Sequence, residues 1–570
     1  MGLIDLLTKE TPNRVFLAII VGILAGVFYY ALIPVILNSI TPVDPSFVEH
    51  KNANDTFLSF DVTNYYLASL YFFLCLMILV ARSTSEIILL RVGADVAKGI
   101  RTKIYHSIGN APQAALEQFG SAKIIASINL DIPRIVMAAG LMPSIFVNLV
   151  TLLGILLFLL YLDSEIFQLV TLSIVVGGLI YQLPIASTRK IFEHNREAND
   201  SLQEALRALI YGSKELKLDI EKRKNYFENV LLIHENDVVA TEKLGHTISS
   251  IAVCLGDLIT FVVIGIIAYI FVNYYTIDAQ TLVAVIMVLL YITGPVGLIL
   301  NSVSGVIRGM VSFRKVSSLL AHIPSEKINK NLVDIPSWKT MSFKDIVYSY
   351  PSVKGEKGFT LSPINLDIHC GKITFIVGGN GSGKSTVSKL ITQHYEPLSG
   401  SVYFDSTLLT ADLVTSYRQD IFAIYSDYYL FEQLLIDVTS ETEALAQRYL
   451  EKLCLDKKVK IENGVFSTTS LSDGQRRRLA LLVAVLEDKK LYLFDEWAAD
   501  QDPEFRNIFY TSILPDLKAR GKAVVVISHD DRYFYVADKV LLMDQGELVD
   551  TQNNDMNNPE NKTLNLTGTA

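Results

Sequence analysis

Gly378-Gly379-Asn380-Gly381-Ser382-Gly383-Lys384-Ser385-Thr386 is the stretch on which the reading of this chain turns. It fits the pattern G-x-x-x-x-G-K-[ST]. It comes after the apolar run 373–377 and opens a helical pattern, which is the strand–turn–helix setting the pattern needs. Glycines let successive backbone N–H groups close around phosphate oxygens, and the helix N-terminus adds positive potential. Lys384 is expected to reach the β- and γ-phosphates of a nucleotide and Ser385 to ligate Mg²⁺. The residues from Gly378 to Thr386 are therefore candidate nucleotide ligands.

Two further apolar runs, 491–494 and 523–527, read as strands of the same α/β unit. The first ends in Asp495-Glu496, about 110 residues after the glycine-rich loop. A strand end there can deliver Asp495 to a metal and Glu496 to an attacking water as general base. The second ends in Ser528-His529, which places an imidazole where it could bond a γ-phosphate. Between them, Ser470-Leu471-Ser472-Asp473-Gly474-Gln475 precedes an apolar helical segment. A Ser/Gly turn at a helix start suits an anion or serves as an ordinary cap.

Outward from this unit the chain changes character. It has 570 residues, half of them hydrophobic, and a positive mean hydropathy of +0.35. That length and composition predict more than one unit and several membrane spans. Six apolar stretches precede residue 310, at roughly 14–40, 63–90, 137–161, 164–187, 245–273 and 280–306. Each is long enough for a hydrocarbon core of about 30 Å. The first is too long for a signal-peptide core and is expected to be retained. Lys and Arg crowd the connections between the second and third and between the fourth and fifth spans. The positive-inside rule then puts both termini in the cytoplasm.

The pattern from Val62 to Glu117 predicts one helix of about 50 residues, near 75 Å long, projecting from the membrane. Turns are expected near 116–120 and 211–215. Asp257 is the clearest ionisable residue read inside a span, with Asn148 and Gln182 as polar companions. Gly294-Pro295 predicts a kink. The four cysteines, Cys75, Cys254, Cys370 and Cys454, are dispersed and read as small buried hydrophobes. A net charge of −9, with 50 basic and 59 acidic residues, argues against a nucleic-acid partner.

Taken in order, these motifs resemble the ATP-binding cassette (ABC) family across nearly the whole chain. The implied fold class is an all-α six-helix transmembrane domain followed by an α/β P-loop ABC ATPase domain. The expected boundaries are 1–324, a linker at 325–338, the ATPase at 339–552 and a disordered tail at 553–570. Leu471-Ser472-Asp473-Gly474-Gln475 looks like the LSGGQ signature, with Asp473 replacing the first glycine. The resemblance implies that Ser472, Gly474 and Gln475 close on ATP held by a partner's phosphate loop. It also makes Asp502 the D-loop aspartate, His529 the switch histidine and Tyr350 the aromatic that stacks on adenine. The two turns become coupling helices.

Ser426 stands where most relatives carry a glutamine, and Asp473 should point away from a docked γ-phosphate. The stretches 466–480 and 495–503 look like those of bacterial cyclic-peptide and siderophore exporters. ATP and Mg²⁺, a homodimer in the lipid of the bacterial inner membrane, and ATP-driven export of a peptide-like or siderophore cargo are what this resemblance implies. An importer on the same fold, and an ATP-gated channel or regulator, remain alternatives.

Overall fold

The computed structural model describes residues 12–40, 55–57, 60–62, 65–274, 279–326, 331–351 and 358–553. The chain divides into two compact units, the first ending at Pro324 and the second beginning at Ser325.

The first unit is built on six long helices: α1 (Pro12–Ile40), α2 (Tyr65–Gly109), α3 (Ile132–Leu162), α4 (Ser164–Tyr211), α5 (Leu232–Tyr269) and α6 (Ala279–His322). All six carry a stretch long and apolar enough to cross a membrane. Large apolar side chains such as Phe16, Phe72, Leu79, Leu157 and Leu172 stay exposed, as expected where lipid covers the surface. Helices pack closely through small residues. A Cβ on Gly26 of α1 would lie 2.8 Å from the Val147 carbonyl oxygen of α3, and one on Gly309 of α6 would lie 2.2 Å from Ala138 Cβ. Hydroxyls join the same contacts: Ser85 Oγ donates to the Ala18 carbonyl at 2.8 Å. Between helices that share an apolar solvent, such close approach and hydrogen bonding replace the hydrophobic drive.

Helix α2 is shorter than expected. It has 45 residues, about 68 Å at 1.5 Å per residue. A proline at 112 pushes Ala111 away from helical geometry. Asn110 Nδ2 then caps the His106 carbonyl at 2.6 Å. The chain resumes as a short helix, Gln113–Phe119, and Gly120 turns it with φ 74°. The second long extension ends at Gly212, succeeded by the short helix Ser213–Leu218. Helix α6 runs on through Pro295. The side chains of Asp257 and Gln182 lie outside the described residues, as does 554–570. The expected burial of the cysteines does not hold: all four are free, but Cys254 and Cys454 are exposed. Cys454 occupies a turn with φ 54°, and Cys254 lies on α5 in a candidate membrane span, where exposed positions face lipid.

Inside the extensions, Arg196 of α4 is only 2% exposed and pairs bidentately with the wholly buried Asp131, at 2.8 Å for both bonds. Asp200 joins Arg196 and Lys315 in the same network. Asp131→Ala leaves a buried guanidinium with Asp200 alone and should destabilise the protein by about 3 kcal/mol. Replacing both partners, as in Asp131→Leu with Arg196→Met, should cost less. Thermal inactivation of the two variants checks this ordering.

Among its described residues the second unit holds two large sheets and a small antiparallel pair, Ile461–Glu462 with Val465–Phe466. Strands β1 (Thr340–Ser349), β2 (Thr360–His369), β4 (Ser399–Phe404) and β5 (Thr407–Leu408) form an antiparallel sheet in the order β2-β1-β4-β5. Strands β3 (Ile373–Gly378), β6 (Ile421–Ile424), β7 (Leu491–Asp495), β8 (Ala523–Ile527), β9 (Lys539–Asp544) and β10 (Glu547–Asn553) form the second, in the order β10-β9-β3-β8-β7-β6. All neighbours there are parallel except β9 and β10. The inner strands β7 and β8 are buried at every position, which is why they read as unbroken apolar runs rather than alternating ones. Phe375 and Phe494, both at 0% exposure, each contribute on the order of 2–3 kcal/mol to this core.

The segment expected as a linker is tied to the α/β unit. Glu326 takes a bidentate bond from Arg418 at 2.9 and 3.1 Å. The buried Trp338 donates to Asp420 at 2.9 Å.

Candidate functional site

Parallel pairing brings the chemistry to one edge. Asp495 pairs with Ile527, and Ile527 with Ile376. The three strands β3, β7 and β8 therefore end level, and the segments leaving them gather at their carboxyl ends. From β3 comes the glycine-rich loop leading into helix α7 (Lys384–Ile391). From β7 comes Asp495-Glu496, and from β8 Ser528-His529.

The loop has little freedom of composition. Gly378 has φ 150°, and a Cβ there would meet the Met543 carbonyl oxygen at 2.1 Å. Gly381 and Gly383 also have positive φ, 80° and 105°. Lys384 is 7% exposed, and its Nζ donates to the carbonyls of Gly378 and Gly379, both at 2.8 Å. Burial pulls its ammonium below the usual lysine range, against the opposing pull of Glu496 and Asp495. The buried Ser382 Oγ has no hydrogen-bond partner among the described residues. An orphaned hydroxyl and an ammonium held by the loop's own carbonyls suit a phosphate chain. Tyr350 reaches this helix as well: its hydroxyl lies 3.4 Å from Thr386 Oγ1, and its ring meets Tyr395 edge-on at 5.8 Å.

Asp495 is 4% exposed. Burial first, then the neighbouring Glu496, pushes its carboxyl up to about 6; Lys384 opposes this, while Asp427 adds to it. Ser385 and Asp495 would offer Mg²⁺ a hydroxyl and a carboxylate. That is a fitting protein share for an ion that keeps waters and phosphate oxygens as its other ligands. No group of three or more His, Cys, Asp or Glu capable of holding a metal occurs among the described residues.

The raised value has a sign. Ionising Asp495 in the folded, nucleotide-free protein is unfavourable, so the stability it contributes is complete below the ordinary aspartate range and is lost as pH rises through about 6. Asp495→Asn should then raise the unfolding midpoint of the nucleotide-free protein at pH 7.5, by the equivalent of roughly 2–3 kcal/mol. The gap between variant and wild type should close as pH falls toward 4. Calorimetry at several pH values reads both trends.

Glu496 sits in the left-handed region, with φ 50°. Its amide donates to the Ile527 carbonyl at 3.0 Å, and Oε1 lies 3.1 Å from His529 Nε2. Both line a cleft of about 390 Å³ with Ser528 and Arg506. A strained backbone at the end of a buried strand, held on both sides, fixes one orientation for the carboxylate.

The signature region opens helix α8 (Asp473–Glu487) with a capping box: Ser472 is the N-cap, and its amide donates to Gln475 Oε1 at 3.4 Å. Asp473 is exposed in the first turn, a favourable place for a carboxylate. Two residues not singled out from the sequence tie this helix to the segment after β7. Arg477 donates to the Glu496 carbonyl and pairs with Asp500, both at 2.6 Å. Arg478 bonds Gln501 at 3.0 Å, pairs with Asp502 and lies over the Phe505 ring at 3.9 Å. Gln501 closes the circle by donating to the Gly474 carbonyl at 3.0 Å. Asp502 itself caps the next helix through the Phe505 amide at 2.8 Å, and the bond from that amide comes first among the interactions that lower its carboxyl below the usual range. The readable signal was spacing: positions 474, 477 and 478 share a helix face. Ser426 is exposed.

Comparison with known proteins places this arrangement. Residues 361–499 match the family described as ABC transporter, and residues 15–218 match the ABC transporter transmembrane region. The ATP-binding protein SyrD of Pseudomonas syringae pv. syringae is 30% identical, with 96% of each chain covered. The chain belongs to the ABC transporter family. As an ABC transporter it is a multi-pass membrane protein that couples ATP hydrolysis to transport. An ATP-dependent lipid A-core flippase of Shewanella frigidimarina is 24% identical, over 81% of this chain and 78% of that one. The solved structure of a bacterial Atm1-family ABC exporter with ATP bound superposes with a TM-score of 0.77 over 96% of each chain, at 14% identity. That likeness establishes the exporter fold.

Proposed function

We propose that this ABC transporter works as a homodimer in the bacterial inner membrane, with its ATPase units in the cytoplasm, and exports a peptide-like cargo. The observation that carries the ATPase half of this reading is the convergence of Lys384, Asp495, Glu496 and His529 at one edge of the parallel sheet.

In this account Gly378 to Thr386 wrap the ATP phosphates, and Tyr350 stacks on the adenine. Lys384 leaves the loop carbonyls for the β- and γ-phosphates. Ser385 and Asp495 hold Mg²⁺, which when bound neutralises charge that builds on the phosphates. Glu496 accepts a proton from the attacking water, and His529 orients Glu496 and contacts the γ-phosphate. Ser472, Gly474 and Gln475 act on nucleotide held by the partner subunit, so each composite site needs two chains. Arg477 and Arg478 link the signature to Glu496 and to Asp502, so that closure of one site is felt at the base of the other.

Support for a peptide-like cargo comes from the likeness of 466–480 and 495–503 to cyclic-peptide and siderophore exporters. The relatives named lipid A-core flippases favour a lipid as the second reading. Inside-out proteoliposomes given ATP should accumulate a cyclic peptide or peptide siderophore against its gradient. Accumulation only in right-side-out vesicles would assign import, and ATP hydrolysis without concentrative uptake would assign a gated channel or regulator.

A further inference from the structure

Glu496 and His529 meet at 3.1 Å, yet their side chains are 40% and 46% exposed. Both border the cleft of about 390 Å³, so packing around the side chains does not fix them. Their orientation must come through the backbone that carries them. Glu496 is held at its amide by the Ile527 carbonyl and at its carbonyl by Arg477. His529 has no such place in the sheet. The β7–β8 ladder ends at the pair Asp495 and Ile527, and His529 lies beyond it, in the short turn between β8 and the 3₁₀ segment Asp531–Val536.

Two side chains from one helical run reach that turn on either side of the histidine. Helix α9 (Pro503–Ile508) continues through Phe509–Ile513, and positions 506 and 510, four apart, are neighbours on its surface. Tyr510, 1% exposed, places its hydroxyl 2.8 Å from Ser528 Oγ. Arg506 places Nη1 3.5 Å from Asp530 Oδ2. Ser528 and Asp530 flank His529, and the Asp530 amide donates to Ser528 Oγ at 3.1 Å. The same guanidinium also holds the segment that follows Glu496. Its Nη2 donates to the Ala499 carbonyl at 3.2 Å and to the Gln501 carbonyl at 3.1 Å. Arg506 therefore spans the two segments that deliver the catalytic pair.

Packing alone does not ask for these groups. The buried Arg506 Nε has no hydrogen-bond partner among the described residues, and a buried donor without an acceptor is costly to keep. A phenylalanine would fill the place of Tyr510 with no hydroxyl to satisfy. Nor does Asp530 need Arg506 for neutralisation, since Arg532 already pairs with it bidentately at 2.8 and 2.9 Å. The bond from Arg532 does most to hold the Asp530 carboxyl below the usual range; burial opposes it, and the charges of Arg532 and Arg506 add to it. Arg506 thus meets a carboxylate that is ionised and already fixed.

We propose that Arg506 and Tyr510 are positioning residues for ATP hydrolysis, a brace that sets the turn carrying His529 against the segment carrying Glu496. The inference rests on the roles given to Glu496 and His529 above, and adds two residues that act through them. The phosphate loop binds nucleotide through its own backbone and Lys384, so loosening the brace should slow the chemical step and spare ATP affinity. Misplacing reacting groups by about 1 Å can cost on the order of 100-fold, and the loss of one tether among several should cost about tenfold.

The test uses the full-length protein in nanodiscs, with turnover read as release of labelled γ-phosphate. Arg506→Met and the nearly isosteric Tyr510→Phe should each lower kcat about tenfold and leave the KM for ATP unchanged. Arg506→Lys keeps a cation for Asp530 without the planar fork that serves both carbonyls, so it should recover part of the loss. Each substitution is then repeated in a His529→Ala background, where the brace has no imidazole to position and the residual turnover should stay the same. Tyr510→Phe carries the comparison if Arg506→Met does not fold. An equal loss in both backgrounds, a KM that rises while kcat holds, or wild-type kcat in Tyr510→Phe would overturn the brace and leave the roles of Glu496 and His529 standing. Wild-type turnover in His529→Ala alone would overturn both.

Discussion

Glu496→Gln should keep ATP affinity near that of wild type and lose on the order of 10²- to 10⁴-fold in turnover, the usual share of a general base. The amide is isosteric, so the bond from the Glu496 N–H to the Ile527 carbonyl and the bond from Arg477 to its own carbonyl both persist. The loss is confined to the acceptor for the water's proton. The His529 contact at 3.1 Å can be kept by the amide oxygen, so the variant should accumulate in a nucleotide-bound state. Equilibrium ATP binding and steady-state phosphate release, measured on one preparation, separate the two quantities. Near-normal release would remove Glu496 from its role.

Lys384→Ala should act one step earlier. Its ammonium is buried and held by the carbonyls of Gly378 and Gly379. Transfer to phosphate oxygens exchanges neutral acceptors for charged ones, a gain of about 1.5–3 kcal/mol for a hydrogen bond to a charged group. Its removal should weaken nucleotide binding roughly 10- to 100-fold, and turnover should fall with it. The loop keeps its shape in this variant, because Gly378, Gly381 and Gly383 set it through their backbone. Titration with a fluorescent ATP analogue reads the loss. A variant that binds normally and fails only in turnover would instead place Lys384 in the chemical step.

Much of the candidate site could be read from the sequence because its parts are contiguous and each comes directly after a strand. The glycine-rich loop, Asp495-Glu496 and His529 each succeed an unbroken apolar run, and parallel pairing does the rest. The six spans were equally plain, since length and hydropathy suffice for them. Arg477 and Arg478 were missed because three consecutive arginines look like a solvated face until the helix phase is fixed. The break after Gly109 was blurred because an otherwise continuous helical pattern outweighed a single proline at 112. Burial of Cys254 was misjudged because lipid-facing and core positions have the same apolar neighbours in sequence, and that of Cys454 because it stands between two buried leucines, Leu453 and Leu455.

Face-to-face sharing of nucleotide between two subunits is tested most directly by mixed dimers in a Glu496→Gln background, scored by ATP retained after rapid dilution. One arrangement places Lys384→Ala on one subunit and Gly474→Val on the other; a Cβ at 474 already comes within 3.0 Å of the Asp500 carbonyl oxygen. The other places both substitutions on the same subunit, beside an unaltered partner. If the signature acts across the interface, the split arrangement damages one composite site twice and leaves one intact, so ATP is retained; the joint arrangement damages both and retains none. Retention only in the joint arrangement would mean that each chain completes its own site, contradicting the account.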